Sequence, residues 1–277
     1  MSIAGGIDKA LCRGMKLGCD VIQLFTKNAN QWRAKPLLPD AIEAFRQARR
    51  ETGVRPVAAH DSYLINLASP DEGLYKRSVE ALWEELERAE TLGLPYLVMH
   101  PGSHRGGGEE EGFYRIARAI NLLYYQGPDI KVQILLETTA GQGATVGYRF
   151  EHFARIIEMI EEDERIGVCL DTSHVFAAGY AIETSEGYEA TMKEFDRIIG
   201  LDRLKLIHLN DSKVALGTRV DRHEQIGQGY LGLEPFRLLM QDPRLADIPF
   251  ILETPKGWTA SGEDWDKVNL RTLRGLV

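Results

Sequence analysis

Seven short apolar runs alternate with longer amphipathic stretches, and this alternation constrains the fold more than any other feature of the chain. The runs are "DVIQLFT" (20–26), "PVAAH" (56–60), "YLVMH" (96–100), "VQILLE" (132–137), "IGVCLD" (166–171), "LKLIHL" (204–209) and "PFILE" (249–253). Near-continuous hydrophobicity over so few residues suits parallel strands covered on both faces. Helical patterns follow at roughly 38–52, 73–93, 112–126, 150–162, 187–200, 234–241 and 262–275. Strand followed by helix, repeated, means a parallel sheet. The 277 residues show no Pro/Ser/Gly-rich linker and no change of composition, so one α/β domain over 1–277 is expected. A (β/α)8 TIM barrel is the leading architecture; an open doubly wound sheet comes second, since no GxGxxG follows an early strand. The chain opens with a helix-like stretch, "GIDKALCRGMKLG" (6–18), so a barrel of eight lacks its first strand.

The polar residues fall at the strand ends. His60, His100, Glu137, Asp171 and Glu253 each close a run; His208 lies near the end of its own, and His174 stands three residues after Asp171. In a barrel all these ends surround one mouth, where active sites are built. Asp221 and His223, in "RVDRHEQIGQG" (219–229), are two apart and face the same side of an extended segment. Taken singly, each has an ordinary explanation. A His or Asp after a strand is commonly a turn or cap residue, "DTSH" reads as an N-cap with Asp171 or Thr172, and "DRH" reads as a surface ion-pair loop. As a set they are harder to dismiss, because five of the seven histidines in the chain belong to it. His104, in a Gly-rich loop, and His152, inside a helix, stand outside the pattern. Cys169 reads as core.

Imidazole and carboxylate donors without thiolate suit zinc, manganese or iron, and nine donors exceed what one tetrahedral ion needs. Two or three divalent ions are the usual apparatus of phosphodiester hydrolysis. The three cysteines form no CxxC pair, no run of about 18 apolar residues could span a membrane, and the start lacks a secretory signal. A reducing cytoplasm is therefore the expected setting. The net charge of −8 argues mildly against nucleic acid, but bound cations offset charge locally. The acidic stretches "EEE" (109–111) and "EMIEEDE" (158–164) read as solvated helix surface.

In "LFTKNANQW" (24–32), "HDSYLINLASP" (60–70), "HPGSH" (100–104), "ETTAGQG" (137–143), "GVCLDTSHVFAAGY" (167–180), "HLNDSK" (208–213), "RVDRHEQIGQG" and "ILET" (251–254) the chain resembles the endonuclease IV family of zinc-dependent apurinic/apyrimidinic endonucleases. The segments occur in the family's order over nearly the whole chain. "LDTSHVFAAGY" and "RVDRH" are highly specific; "ILET" alone is weak. The resemblance implies a (β/α)8 barrel with three zinc ions, manganese being acceptable at one position. His60 and His100 would hold one ion, bridged by Glu137 to a second that Asp171, His208 and Glu253 complete. His174, Asp221 and His223 would hold the third. It implies hydrolysis of the phosphodiester 5′ to an abasic site, with a 3′-hydroxyl and a 5′-deoxyribose phosphate as products, and release of 3′-blocking groups. Glu137 and Glu253 are the catalytic carboxylates of this scheme, Glu253 orienting the nucleophile. The partner implied by the resemblance is double-stranded DNA containing abasic sites or blocked 3′ ends, and a monomer is the default expectation. Tyr63 and Leu64 match the family's intruding positions, an apolar wedge of the kind that kinks duplexes. Asn30 stands where some relatives carry Arg. Lys27, Arg33 and Arg222 are expected to contact DNA, with Lys35, Lys213, Arg219 and Lys256 as further basic residues near the mouth.

Relatives begin with a strand ending in "GxHVS", and "MSIAGG" starts at about that serine. The expectation is that the natural start lies upstream or the chain is truncated. The rival function is a metal-dependent sugar isomerase or epimerase on a similar barrel. That chemistry has no use for a third ion at His174, Asp221 and His223, nor for the "DSYLIN" wedge.

Overall fold

Each of the seven apolar runs is a strand, and helices separate them. The computed structural model describes residues 1–277. The first elements are α1 (Lys9–Leu17), β1 (Val21–Phe25), α2 (Pro39–Thr52), β2 (Arg55–His60), α3 (Glu72–Leu92), β3 (Tyr96–Met99), α4 (Glu109–Gln126), β4 (Gln133–Glu137), α5 (Phe150–Ile157) and β5 (Ile166–Asp171). They continue as α6 (Thr172–Ala178), α7 (Ser185–Ile198), β6 (Leu204–His208), β7 (Asp211–Ser212), β8 (His223–Glu224), α8 (Glu234–Gln241), β9 (Phe250–Ile251) and α9 (Trp265–Arg274). This is the strand–helix repeat of the α/β TIM-barrel class, with α1 rather than a strand ahead of β1. No helix is long and apolar enough to cross a membrane.

Two compact units divide the chain. The first comprises Met1–Leu136 and Arg155–Gly167. In it β1 pairs with β2, β2 with β3 and β3 with β4, all parallel. Its longest helix, α3, starts where the Asp71 side chain accepts from the Leu74 N–H and stops at Gly93, whose φ of 67° is easy only for glycine. Between those caps the helix buries Tyr75, Leu82, Leu86 and Leu92 on one face, together with Glu85 and Arg88. Tyr124 is a second anchor. Its hydroxyl reaches the Val132 and Arg165 carbonyls, accepts from the Ile134 N–H, and its ring lies under the Arg165 guanidinium.

The second unit comprises Glu137–Ala154 and Val168–Val277. Here β5 pairs with β6 and β6 with β9, again parallel. Every residue of β5 is buried, as a strand covered on both faces requires. Cys169 sits in this core, and burial pushes its thiol well above the ordinary range. An antiparallel pair, β7 with β8, carries Asp211 opposite Glu224 and Ser212 opposite His223.

Candidate metal centre

Six of the seven donors that fall in the second unit stand at a strand end or just beyond one, and hydrogen bonds fix most of them. Asp171 ends β5 and caps α6: its Oδ1 accepts from the His174 N–H at 2.9 Å. The cap reading and the donor reading of "DTSH" are therefore both realised in one side chain. The cap sets His174 on the first turn of α6, where its Nδ1–H donates to the Thr138 carbonyl at 2.8 Å. His223, on β8, donates from Nδ1 to the Glu253 carbonyl at 3.2 Å. With both Nδ1 atoms protonated, both rings present an Nε2 lone pair.

Those two Nε2 atoms are 3.3 Å apart. Asp221 completes a triangle, with Oδ2 3.3 Å from His174 Nε2 and Oδ1 3.5 Å from His223 Nε2. At that distance the two nitrogens need a cation between them, either a proton on one ring or a metal ion shared by both. A tetrahedral zinc with bonds of about 2.0–2.1 Å separates its donors by about 3.3 Å. The donor set and its spacing thus fit the ion.

A second group lies beside the first. His208 Nδ1 is 3.0 Å from Glu137 Oε1, 3.3 Å from Glu253 Oε2 and 3.8 Å from Asp171 Oδ2. The donor atoms of Glu137, Asp171, His208 and Glu253 lie within 4.8 Å of one another, and so do those of Asp171, His174 and His223. Asp171 is common to both groups. Glu137, Asp171 and His208 are wholly buried, whereas Asp221 is 43% exposed. Burial opposes a charge on His174, yet Asp171, Asp221 and Glu137 outweigh it and hold the imidazole well above its ordinary pKa. The same balance, with Glu253 and Glu137 foremost, raises His208. The centre draws positive charge.

Supporting residues keep the loops in place. The Asp221 N–H donates to Gln142 Oε1, and Arg219, at a left-handed φ of 54°, lays its guanidinium over Tyr148. Asp211 accepts from the N–H groups of Gly229 and Leu231. At Gly229 a Cβ would stand 2.3 Å from the Ser212 carbonyl, so the "GQG" loop closes only with glycine there. Gln142, Thr138, Asn210 and Asp211 escape a reading of the sequence, because polar residues in loops carry no periodicity that would single them out.

In the first unit the structure brings His60 and His100 together, ring centroids 5.4 Å apart and edge to face. His60 is buried and donates from Nδ1 to the Asp61 carbonyl at 3.0 Å, leaving Nε2 as its donor atom. Tyr63, 60% exposed, has its ring centroid 5.5 Å from Phe25, 5.9 Å from His60 and 6.5 Å from His100. Leu64 beside it is half-buried. The Ser62 hydroxyl donates to the Ala29 carbonyl at 2.6 Å and so ties the "DSYLIN" turn to the "TKNANQW" loop.

Asn30, Arg33 and Arg222 are exposed, as DNA contacts need to be. Lys27 is a correction. It is 5% exposed, with Nζ 3.4 Å from Glu85 and 3.6 Å from Glu84, and it donates to the Trp32 carbonyl at 3.0 Å. Two acids of α3 draw this ammonium inward, and it holds the loop from inside. Thr26 and Arg88 complete the anchor: Thr26 donates to Glu85, and Arg88 donates to Thr26 and to the Lys35 carbonyl. Burial raises the Glu85 carboxyl, against the pull of Thr26 and Lys27.

Outside these groups, His104 accepts at Nδ1 from the N–H groups of Gly106 and Gly108, and His152 accepts from that of Gly147. Both rings thus hold turns next to them in the chain.

Residues 13–275 match the model of a family described as xylose isomerase-like TIM barrels. Over its whole length the chain is 54% identical to a probable endonuclease 4 of Chloroflexus aurantiacus, 96% of which it covers. Its structure is similar to the crystal structure of endonuclease IV from Thermus thermophilus, with a TM-score of 0.86, 36% identity, and coverage of 100% of this chain and 96% of that one. It is also similar to a D-psicose 3-epimerase from Clostridium cellulolyticum H10, with a TM-score of 0.64 over 98% of this chain and 85% of that one. At 14% identity that likeness extends to the fold alone.

Proposed function

The chain belongs to the endonuclease IV family, and on that premise we propose that it hydrolyses the phosphodiester 5′ to abasic sites in double-stranded DNA, leaving a 3′-hydroxyl and a 5′-deoxyribose phosphate. It is an apurinic/apyrimidinic endonuclease, a deoxyribonuclease of DNA repair. Removal of blocking groups from 3′ ends by the same centre is part of the proposal. So is action as a monomer in the cytoplasm.

The residues present would hold three zinc ions, manganese being acceptable at one position. His60 and His100 would hold one, Glu137, Asp171, His208 and Glu253 a second, and His174, Asp221 and His223 a third. The observation that carries this reading is the triangle of His174 Nε2, His223 Nε2 and Asp221, with sides of 3.3, 3.3 and 3.5 Å. Zinc bound at such a centre supplies a strong nucleophile near neutral pH and offsets the negative charge that develops on phosphate and leaving oxygens. The chain supplies the rest. Glu253 orients the attacking water, and Glu137 fixes the ring of His208 beside it. Tyr63 and Leu64 enter the gap left by the missing base, with Asn30 beside them, while Arg33 and Arg222 hold the flanking phosphates.

A labelled duplex containing one tetrahydrofuran abasic analogue tests this. We expect one cut 5′ to the analogue, depending on zinc, with an undamaged duplex of the same sequence left intact. Zinc-replete protein that leaves the analogue uncut would refute the proposal. Epimerisation of a ketohexose by the same preparation would point to the sugar enzymes of this fold instead.

A further inference from the structure

Asn210 stands two residues beyond the end of β6 and is fully buried. It is none of the expected metal donors, yet it makes four hydrogen bonds in the middle of them. Its N–H donates to the Thr172 hydroxyl at 2.8 Å, and its carbonyl accepts from the same hydroxyl at 2.7 Å. Its side-chain Nδ2 donates to Asp171 Oδ2 at 2.6 Å, and its Oδ1 accepts from the Glu253 N–H at 2.9 Å. The amide thus has one end on each of two residues that come from different strands. Its orientation is not interchangeable. A carboxylate requires a donor and a main-chain N–H an acceptor, so a flipped amide would face both partners wrongly.

The two contacts have different effects. Asp171 Oδ1 already accepts from the His174 N–H, so the Asn210 bond to Oδ2 fixes the plane of the carboxylate. With both oxygens tethered, the remaining lone pairs are aimed rather than free to turn towards His208 and His223, 3.8 and 3.7 Å away. The bond to the Glu253 N–H fixes the main chain that carries the other carboxylate. The Thr172 hydroxyl locks the main chain of Asn210 itself, so the side chain works from a rigid base.

We propose that Asn210 is a positioning residue that sets the distance and orientation between Asp171 and Glu253, and thereby the affinity of the ion they share with Glu137 and His208. This rests on the metal assignment above. Supporting hydrogen bonds of this kind are worth about 10- to 100-fold in metal affinity.

The test uses the full chain, stripped of metal and titrated with zinc against a competing chromophoric chelator, for native protein, Asn210→Asp and Asn210→Ala. Asn210→Asp keeps the size and the acceptor for Glu253 but sets a second carboxylate against Asp171. Asn210→Ala removes both contacts. We expect the ion held with Glu137 and His208 to bind about 10- to 100-fold more weakly in both variants. Incision of the abasic duplex should show lower kcat, unchanged KM, and recovery as free zinc is raised, which a merely structural defect would not allow. If Asn210→Ala does not fold, the near-isosteric Asn210→Asp decides. Zinc affinities all within about threefold of native in folded Asn210→Asp, or a native chain that binds no zinc, would overturn the inference. The two readings fail separately. Zinc-replete native protein without incision refutes the proposed reaction, while the titration still decides the role of Asn210.

Discussion

Asp221→Ala removes one corner of the triangle proposed to hold the third ion. Asp221 is 43% exposed, and its own N–H bond to Gln142 is made by the main chain, which the substitution keeps. The metal-free fold should therefore change by no more than about 0.5 kcal/mol. Zinc binding should change far more. Two imidazole nitrogens 3.3 Å apart remain, an incomplete set for an ion that takes three protein donors in catalytic sites. A supporting residue costs up to about 100-fold in affinity, so loss of a donor itself should cost at least that, about 2.7 kcal/mol. In the proposed reaction the ion would also offset charge on the leaving oxygen, an effect of several kcal/mol. If about 3 to 4 kcal/mol of that is lost, kcat falls by about 10² to 10³. Metal analysis after dialysis should find one zinc fewer than in the native chain, and incision of the tetrahydrofuran duplex should slow by that factor with KM little changed. Full retention of zinc, or a kcat within about threefold of native, would show that the triangle is an ordinary polar cluster.

Lys27→Met should act on the fold rather than on DNA alone. It leaves Glu85 buried without its cation, which costs about 3 to 5 kcal/mol. Chemical denaturation of Lys27→Met and of the double variant with Glu85→Gln measures this, and recovery in the double variant is expected. Tyr63→Ala should leave the melting temperature unchanged, since the side chain is 60% exposed, and weaken binding of the abasic duplex by about 1 to 3 kcal/mol. Equal binding in a fluorescence titration would argue against the wedge. Asp242 should contribute an acid-sensitive part of the stability. Burial raises its carboxyl, but hydrogen bonds from Arg244 and Tyr188 outweigh this and hold it below the usual range. Because the folded value is depressed, the stabilisation is present above the unfolded value, near pH 4, and is lost as pH falls through the folded one. Urea midpoints of native protein and Asp242→Asn should differ at pH 7 and converge below about pH 4; a constant difference would contradict the assignment.

The seven parallel strands were legible because a strand buried on both faces leaves an uninterrupted apolar run, as β5 does from Ile166 to Leu170. The short pair β7 and β8 was not, because Asp211–Ser212 and His223–Glu224 are polar and too short to show a period. Helix α6 was visible only as a cap signal at Asp171, and the helical pattern at 150–162 ends early, at Ile157. The donor types at the strand ends could be read off directly. What they surround could not, since it depends on loops fixed by remote partners such as Gln142 and Tyr148. Lys27 shows the limit most clearly. Its loop reads as polar and exposed, and the acids that bury its ammonium lie on α3, far along the chain.

Hydrogen-bond direction does what counting histidines could not. His60, His174 and His223 each donate from Nδ1 to a main-chain carbonyl, that of Asp61, Thr138 and Glu253 respectively. The proton is thereby held on Nδ1, and the lone pair is left on Nε2, the atom that faces the other donors. His104 and His152 are wired the opposite way. Their Nδ1 atoms accept from main-chain N–H groups, which puts the proton of the neutral ring on Nε2 and spends the lone pair inside the fold. His208 differs from both, with Nδ1 set against the carboxylates of Glu137 and Glu253. For His60, His174 and His223 the local backbone thus sets which nitrogen keeps its lone pair. A main-chain carbonyl placed beyond a strand end gives a preorganised donor, and a glycine-rich turn of N–H groups gives a structural one. Of the five histidines at strand ends or in the "DRH" loop, three are set apart from His104 and His152 by the orientation of the peptide group that their Nδ1 meets.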